Sequence, residues 1–223
     1  MSNISPPLID WNEIDTVLLD MDGTLLDKNF DDQFWEHYVP AKYGEKYGLS
    51  ISDAKERLYN MYSREAGGYN WTDLDFWAKT LKLDLFSLKY DLAHLIGELP
   101  GTIEFLKFLK KMNKEVILVT NSHPKGVALK FTRTEIEPFF TKTSCAHEMR
   151  AAKEELIFWQ RLGKTLCLNK DKTLFIDDSH RVLTVAKQFG IRHLIIIANP
   201  STSRTPTYST KFSCVKNVGD LVP

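Results

Sequence analysis

Short apolar runs that stop abruptly at polar tips recur along this chain, separated by stretches with helical periodicity. Val17-Leu18-Leu19 is too short for a helical face and meets a turn signal at once, so it reads as a buried strand leading into Asp20-Met21-Asp22-Gly23-Thr24. A second strand over 116–120 ends in Asn121-Ser122-His123-Pro124, and a third over 173–176 runs into Asp177-Asp178-Ser179. Residues 193–198 form another apolar strand. A short extended segment is expected at 141–145, and 199–223 reads as loop with a brief strand at 212–215 and a last half-turn. Between the strands the period changes. Ile103, Phe105, Leu106, Phe108, Leu109 and Met112 make a broad helical stripe, with Lys107, Lys110 and Lys111 towards the end that favours cations. A helix is expected over 125–134, another opens at Lys153 and carries Leu156, Phe158, Trp159 and Leu162, and a third with Val182, Leu183, Ala186 and Phe189 closes at Gly190. Strands alternating with helices predict βαβ units, right-handed crossovers and a parallel sheet covered on both faces.

Residues 28–99 have another character. Helices are expected at 33–47, 52–64, 71–81 and 86–96, with Ser50 and Ser52 as caps for the second and Gly67-Gly68 breaking the chain before the third. Aromatic residues crowd this stretch. The expected organisation is a catalytic core from 1–27 and 100–223, with 28–99 inserted after the first strand as a compact helical lobe.

Composition removes several function classes. Lys plus Arg and Asp plus Glu each number 29, which gives no general attraction to nucleic acid or an anionic membrane. Apolar content of 43% and charged content of 26% are those of an ordinary globular chain. Cys145, Cys167 and Cys214 are odd in number and widely spaced, which suggests reduced thiols and a cytoplasmic setting. Residues 1–11 show no basic segment followed by an apolar core, so no secretory signal is expected. The apolar run at 194–198 is far shorter than the ~20 residues that cross a bilayer.

The chemistry sits at the strand tips. Period-two alternation places Asp20 and Asp22 on one side of the first strand, where two like charges at an apolar strand end call for a cation. Mg²⁺, held by one or two carboxylates with phosphate oxygens and water, suits such a pair. Ligands of open parallel sheets bind beyond the carboxyl ends of the strands, so neighbouring strands would bring Asp20/Asp22, Thr120/Asn121 and Asp177/Asp178 to one edge.

Asp20-Met21-Asp22-Gly23-Thr24 resembles the DxDGT signature of the haloacid dehalogenase-like (HAD) hydrolases, mostly Mg²⁺-dependent phosphatases. The resemblance implies an α/β, Rossmann-like core with a helical cap inserted between the first two motifs. It makes Asp20 the nucleophile and Asp22 the acid and base. Thr120 and Asn121 match the motif that holds phosphoryl oxygens, and Lys153 matches the lysine that offsets charge. The metal would be held by Asp20, the main-chain carbonyl of Asp22, and Asp177 and Asp178, an adjacent-acid variant in which Val182 stands where a second Asp is commoner. Lys142 and Lys164 are the alternatives to Lys153. His123 is a candidate phosphate contact or a turn residue. Patches around Phe34-Trp35, Asn70-Trp71 and Asp75-Phe76-Trp77 look like the bacterial GMP/IMP 5′-nucleotidase branch, which makes Phe34, Trp35 and Trp71 candidate purine contacts and a small phosphomonoester the partner. A sugar-phosphate or phosphoglycolate phosphatase is the near alternative and a mutase a more distant one. A non-catalytic binding module or a DxD glycosyltransferase is the alternative from another class. A calcium loop lacks its third acid and closing Glu.

Overall fold

The computed structural model describes residues 9–223, so the reading of residues 1–11 falls largely outside the described residues. The first strand, β1 (Thr16–Leu19), is followed by α1 (Asn29–Gln33), which passes through a π-helical turn at Phe34–Tyr38 into α2 (Val39–Tyr47). Next come α3 (Ile51–Glu65), α4 (Tyr69–Thr72), α5 (Leu74–Leu81), α6 (Leu85–Asp91), α7 (Thr102–Lys111), β2 (Glu115–Thr120) and α8 (Pro124–Phe131). The chain closes with β3 (Lys142–Cys145), α9 (Ala146–Met149), α10 (Leu156–Leu166), β4 (Thr173–Asp177), α11 (His180–Phe189), β5 (His193–Ile197) and β6 (Ser213–Val215). The strands form one parallel sheet in the order β3-β2-β1-β4-β5-β6, the α/β Rossmann-like core that the alternation predicts.

Strand alternation sorts the apolar residues into two cores. Val17, Leu19, Leu118, Ile176 and Ile195 pack against Phe105, Leu106 and Leu109 of α7. Leu18, Ile117, Val119, Phe175 and Ile196 pack on the other face against Phe158, Trp159 and Leu162 of α10 and Val182, Leu183 and Ala186 of α11. The helices from α1 to α6 gather a separate aromatic cluster around Phe34, Leu58, Leu74, Trp77 and Leu81. Ser50 caps α3 as expected.

Three elements differ from the sequence reading. The 71–81 helix is broken at Asp73, whose carboxylate accepts from the N–H groups of Asp75 and Phe76 and so starts a new helix. The 86–96 helix ends at Asp91 and gives way to a 3₁₀ turn at Ala93–Leu95. Lys153 does not open a helix: it lies in the turn before α10, which starts at Leu156.

Candidate active site

In the sheet, Leu18 is paired with Phe175 and Leu19 with Ile176. Leu18 and Phe175 share the face covered by α10 and α11, so Asp20 and Asp177, two residues further along each strand, leave towards that same face. The chain builds β2 and β3 to one side of β1 and β4 to β6 to the other, which opens a crevice at the carboxyl ends of β1 and β4. Lys153 fills the gap between the two carboxylates. Its Nζ donates to Asp20 Oδ1 at 2.5 Å, to Asp177 Oδ2 at 2.7 Å and to the Val119 carbonyl at 3.2 Å. The Lys153 main chain is fixed as well, since its N–H donates to Asn121 Oδ1 at 2.9 Å and its carbonyl accepts from Trp159 Nε1 at 2.8 Å. Lys142 and Lys164, the alternatives, are exposed elsewhere.

The site carries more negative than positive charge. Burial raises Asp20, with Asp178 adding to it against the pull of Lys153. Burial likewise pushes Asp177 up to about 8, against Lys153 and with Asp20 and Asp178 adding repulsion. The Lys153 ammonium is held above the ordinary lysine range, because two carboxylates outweigh its burial. One oxygen from each of Asp20, Asp177 and Asp178 lies within 4.8 Å of the others. Asp20 Oδ2 is buried and has no hydrogen-bond partner among the described residues. An oxygen-only donor set with an orphaned carboxylate oxygen fits a hard divalent cation such as Mg²⁺ better than a zinc-type ion. Asp177 already has both oxygens engaged, Oδ2 by Lys153 and Oδ1 by the Ser179 N–H at 2.8 Å. Asp178 is paired with Lys28 at 2.8 Å.

Asp22 lines the same cavity as Asp20 but stands apart from the Asp20, Asp177 and Asp178 group. β1 stops at Leu19, and Asp22 already belongs to a turn in which it bridges to Leu26, so strand alternation no longer governs it. Its carboxylate accepts from Ser122 Oγ at 2.6 Å and from Lys130 Nζ at 2.6 Å instead of joining the acidic group. The main-chain turn needs Gly23, at φ +92, where a Cβ would stand 2.6 Å from Asp178 Oδ2 and 2.9 Å from Pro200 Cβ. Gly23→Ala should therefore cost roughly 2–5 kcal/mol in denaturant unfolding, combining left-handed strain with overpacking.

A cavity of about 700 Å³ joins these groups to the helical segment. Thr120, Asn121 and His123 line it, as do Trp35 and Trp71. The Thr120 hydroxyl accepts from the Ser122 N–H at 3.0 Å, and Asn121 Nδ2 donates to Glu154 at 2.8 Å. His123 caps α8, its Nδ1 accepting from the Lys125 N–H at 3.3 Å, which leaves the proton on Nε2, 3.5 Å from Asp75 Oδ2. Phe34 must be withdrawn as a ligand contact: it is fully buried in the aromatic cluster, 5.0 Å edge-on from Trp35 and stacked 6.5 Å from Phe30. Sequence reading missed Lys28, Ser122, Lys130 and Arg204. Only Lys130, a cation inside the apolar Val127-Ala128-Leu129-Lys130-Phe131 stretch, left a local signal.

The family model for haloacid dehalogenase-like hydrolases matches residues 14–190. The chain is 34% identical over 215 residues to the GMP/IMP nucleotidase YrfG of Escherichia coli (strain K12), covering 96% of this chain and 97% of that protein. It is 23% identical over 218 residues to a phosphoglycolate phosphatase of Pseudomonas fluorescens, covering 93% and 78%. Among solved structures, a HAD phosphatase from Thermococcus onnurineus superposes with a TM-score of 0.78 at 23% identity over 93% of this chain and 96% of that one. An L-2-haloacid dehalogenase from Xanthobacter autotrophicus superposes with a TM-score of 0.58 at 15% identity over 93% and 96%, a likeness of fold alone.

Proposed function

The chain belongs to the haloacid dehalogenase-like hydrolases and is a phosphatase of that family, and we propose that it hydrolyses purine nucleoside 5′-monophosphates of the GMP/IMP type with Mg²⁺, through an aspartyl phosphate on Asp20. The observation that carries the reading is the shape of the cavity. One end holds Asp20, Lys153 and Asp178, and the other is walled by Trp35, Tyr59, Tyr62 and Trp71. Tyr62 meets Trp35 and Trp71 edge-on, each at 5.8 Å, and its hydroxyl is buried without a partner among the described residues. The exposed parts of these rings give a flat base surfaces to stack on. The similarity to a GMP/IMP nucleotidase along nearly the whole chain supports the same substrate class.

In this mechanism the Asp20 carboxylate attacks phosphorus while the ester P–O bond breaks, and Asp22 gives a proton to the leaving oxygen. Asp22 then takes a proton from the water that cleaves the Asp20–phosphorus bond, releasing phosphate and restoring both acids. Thr120 and Asn121 hold phosphoryl oxygens, and Lys153 offsets charge on Asp20 and the phosphoryl group. Asp20, Asp178 and the Asp22 carbonyl would hold Mg²⁺, with Asp177 orienting Lys153; the cation supplies charge neutralisation at the transferring oxygens. Residues 28–99 act as the cap over a core of 1–27 and 100–223, excluding water and presenting the aromatic wall.

The test is a phosphate-release screen with Mg²⁺ over GMP, IMP, AMP, ribose 5-phosphate and phosphoglycolate, with beryllofluoride as a probe of Asp20. Preference for GMP and IMP, and beryllofluoride held on Asp20, are expected. Preference for phosphoglycolate, which the weaker relatives act on by name, would replace the substrate class and keep the chemistry. No phosphate release from any ester would overturn both.

A further inference from the structure

A buried row of alternating charges runs from the strand tip into the helical segment. Asp22 Oδ1 accepts from Lys130 Nζ at 2.6 Å, Lys130 Nζ also donates to Asp31 Oδ2 at 2.7 Å, and Asp31 Oδ1 accepts from Lys89 Nζ at 2.9 Å. Lys130 is 2% exposed and Lys89 5%. Lys89 is further surrounded by aromatic faces, 4.8 Å from the Phe30 ring and 4.5 Å from the Phe34 ring. A lysine this deep is held only by the carboxylates that pair it, and those carboxylates only by it. The row spans separate elements: Asp22 follows β1, Lys130 is on α8, Asp31 on α1 and Lys89 on α6. Lys130 does not line the cavity, whereas Asp22 does.

We propose that Lys130 is a positioning residue for the acid–base step, seated by Asp31 and Lys89 and acting on the reaction through Asp22. The proposal rests on the acid–base assignment of Asp22. A carboxylate at a turn has rotamers that face the cavity and rotamers that do not, and two fixed donors, Ser122 Oγ and Lys130 Nζ, select one. Because Asp31 shares the Lys130 ammonium, the same contact ties the placement of Asp22 to the seat of α1.

Leaving-group dependence separates this role from a merely structural one. A primary alkoxide needs its proton from Asp22, whereas p-nitrophenolate leaves without one. Lys130→Met should lower kcat about 100-fold on IMP and ribose 5-phosphate with KM within about 3-fold, in the range for a displaced general acid. The single-turnover burst of p-nitrophenolate should fall by less than about 5-fold, because that step draws no proton from Asp22. Lys130→Arg should recover much of the loss. If Lys130→Met does not melt cooperatively, Asp31→Asn, which removes one seat of the ammonium, should show the same selectivity with a loss of about 10-fold. Equal losses on alkyl and aryl esters, a change in KM alone, or wild-type rates would overturn the proposal. A wild-type chain that cleaves none of these esters would overturn the hydrolase reading instead.

Discussion

Asp20→Asn should abolish phosphate release by at least about 10⁴-fold, the scale on which loss of a covalent nucleophile is felt, while the protein unfolds at no lower temperature than the wild type. Asparagine keeps the volume and one acceptor for Lys153, so packing is unchanged. The electrostatic balance moves in the stabilising direction. Asp20 is buried, its ionisation is opposed by burial and by Asp178, and Lys153 keeps Asp177 as a partner at 2.7 Å. A variant that is dead and yet melts as high as the wild type cannot owe its inactivity to misfolding. Phosphate release, beryllofluoride binding and a thermal melt decide it together. Wild-type turnover would remove Asp20 from the nucleophile's role, whereas inactivity with a large drop in melting temperature would leave a structural explanation standing.

The tips of the apolar strands were legible because a buried strand end rarely carries carboxylates without cause. Asp20 and Asp177 follow Leu18 and Phe175 by two residues, and alternation alone aims both at one face. Alternation stopped being informative where hydrogen bonding to the sheet stopped. Asp22 lies three residues beyond Leu19, and its direction is set by Ser122 and Lys130, a hundred or more positions away. Phe34 and Trp35 show a different limit. Neighbours on a helix point about 100° apart, so one faces the cavity and one the cluster. The π-helical turn at Phe34–Tyr38 alters the phase, and the sequence of an aromatic-rich helix does not say which residue goes where. Lys28 and Arg204 had no local signature at all, since their partners Asp178, Asp32 and Glu36 are brought to them only by the folded chain.

The helical segment meets the sheet-bearing part largely through charges. Lys130 binds Asp31, Lys125 binds Asp75 at 2.7 Å, and Arg204 binds Asp32 at 2.7 Å and Glu36 at 3.2 Å. Most apolar packing lies within each side, and one small cluster crosses the seam where Phe30 and Ala93 meet Leu129 of α8. Ion pairs re-form in shifted geometry, and those with an exposed partner, such as Arg204 and Lys125, contribute at most about 1 kcal/mol each. Movement of the cap we propose would open only that small cluster, and the buried Lys130 contact is the one whose position matters most for Asp22.

Lys153→Met should damage both activity and fold, lowering turnover at least about 10³-fold through lost charge stabilisation and stability by roughly 3–5 kcal/mol, the cost of leaving buried carboxylates without their cation. Methionine matches the lysine in length but supplies no charge, so Asp20 and Asp177 would face each other across the gap with Asp178 nearby. Two further measurements show which effect dominates. Mg²⁺ should restore part of the stability of Lys153→Met, because a cation bound to Asp20 and Asp178 offsets the same excess charge. Adding Asp177→Asn should restore part of it as well, by removing one of the unpaired carboxylates, and should leave turnover at the level of the single variant. Stability that stays low in the double variant would mean that the Lys153 alkyl chain matters more than its ammonium. Turnover that recovers would show that the ammonium acts by holding Asp177 in place and not on the phosphoryl group.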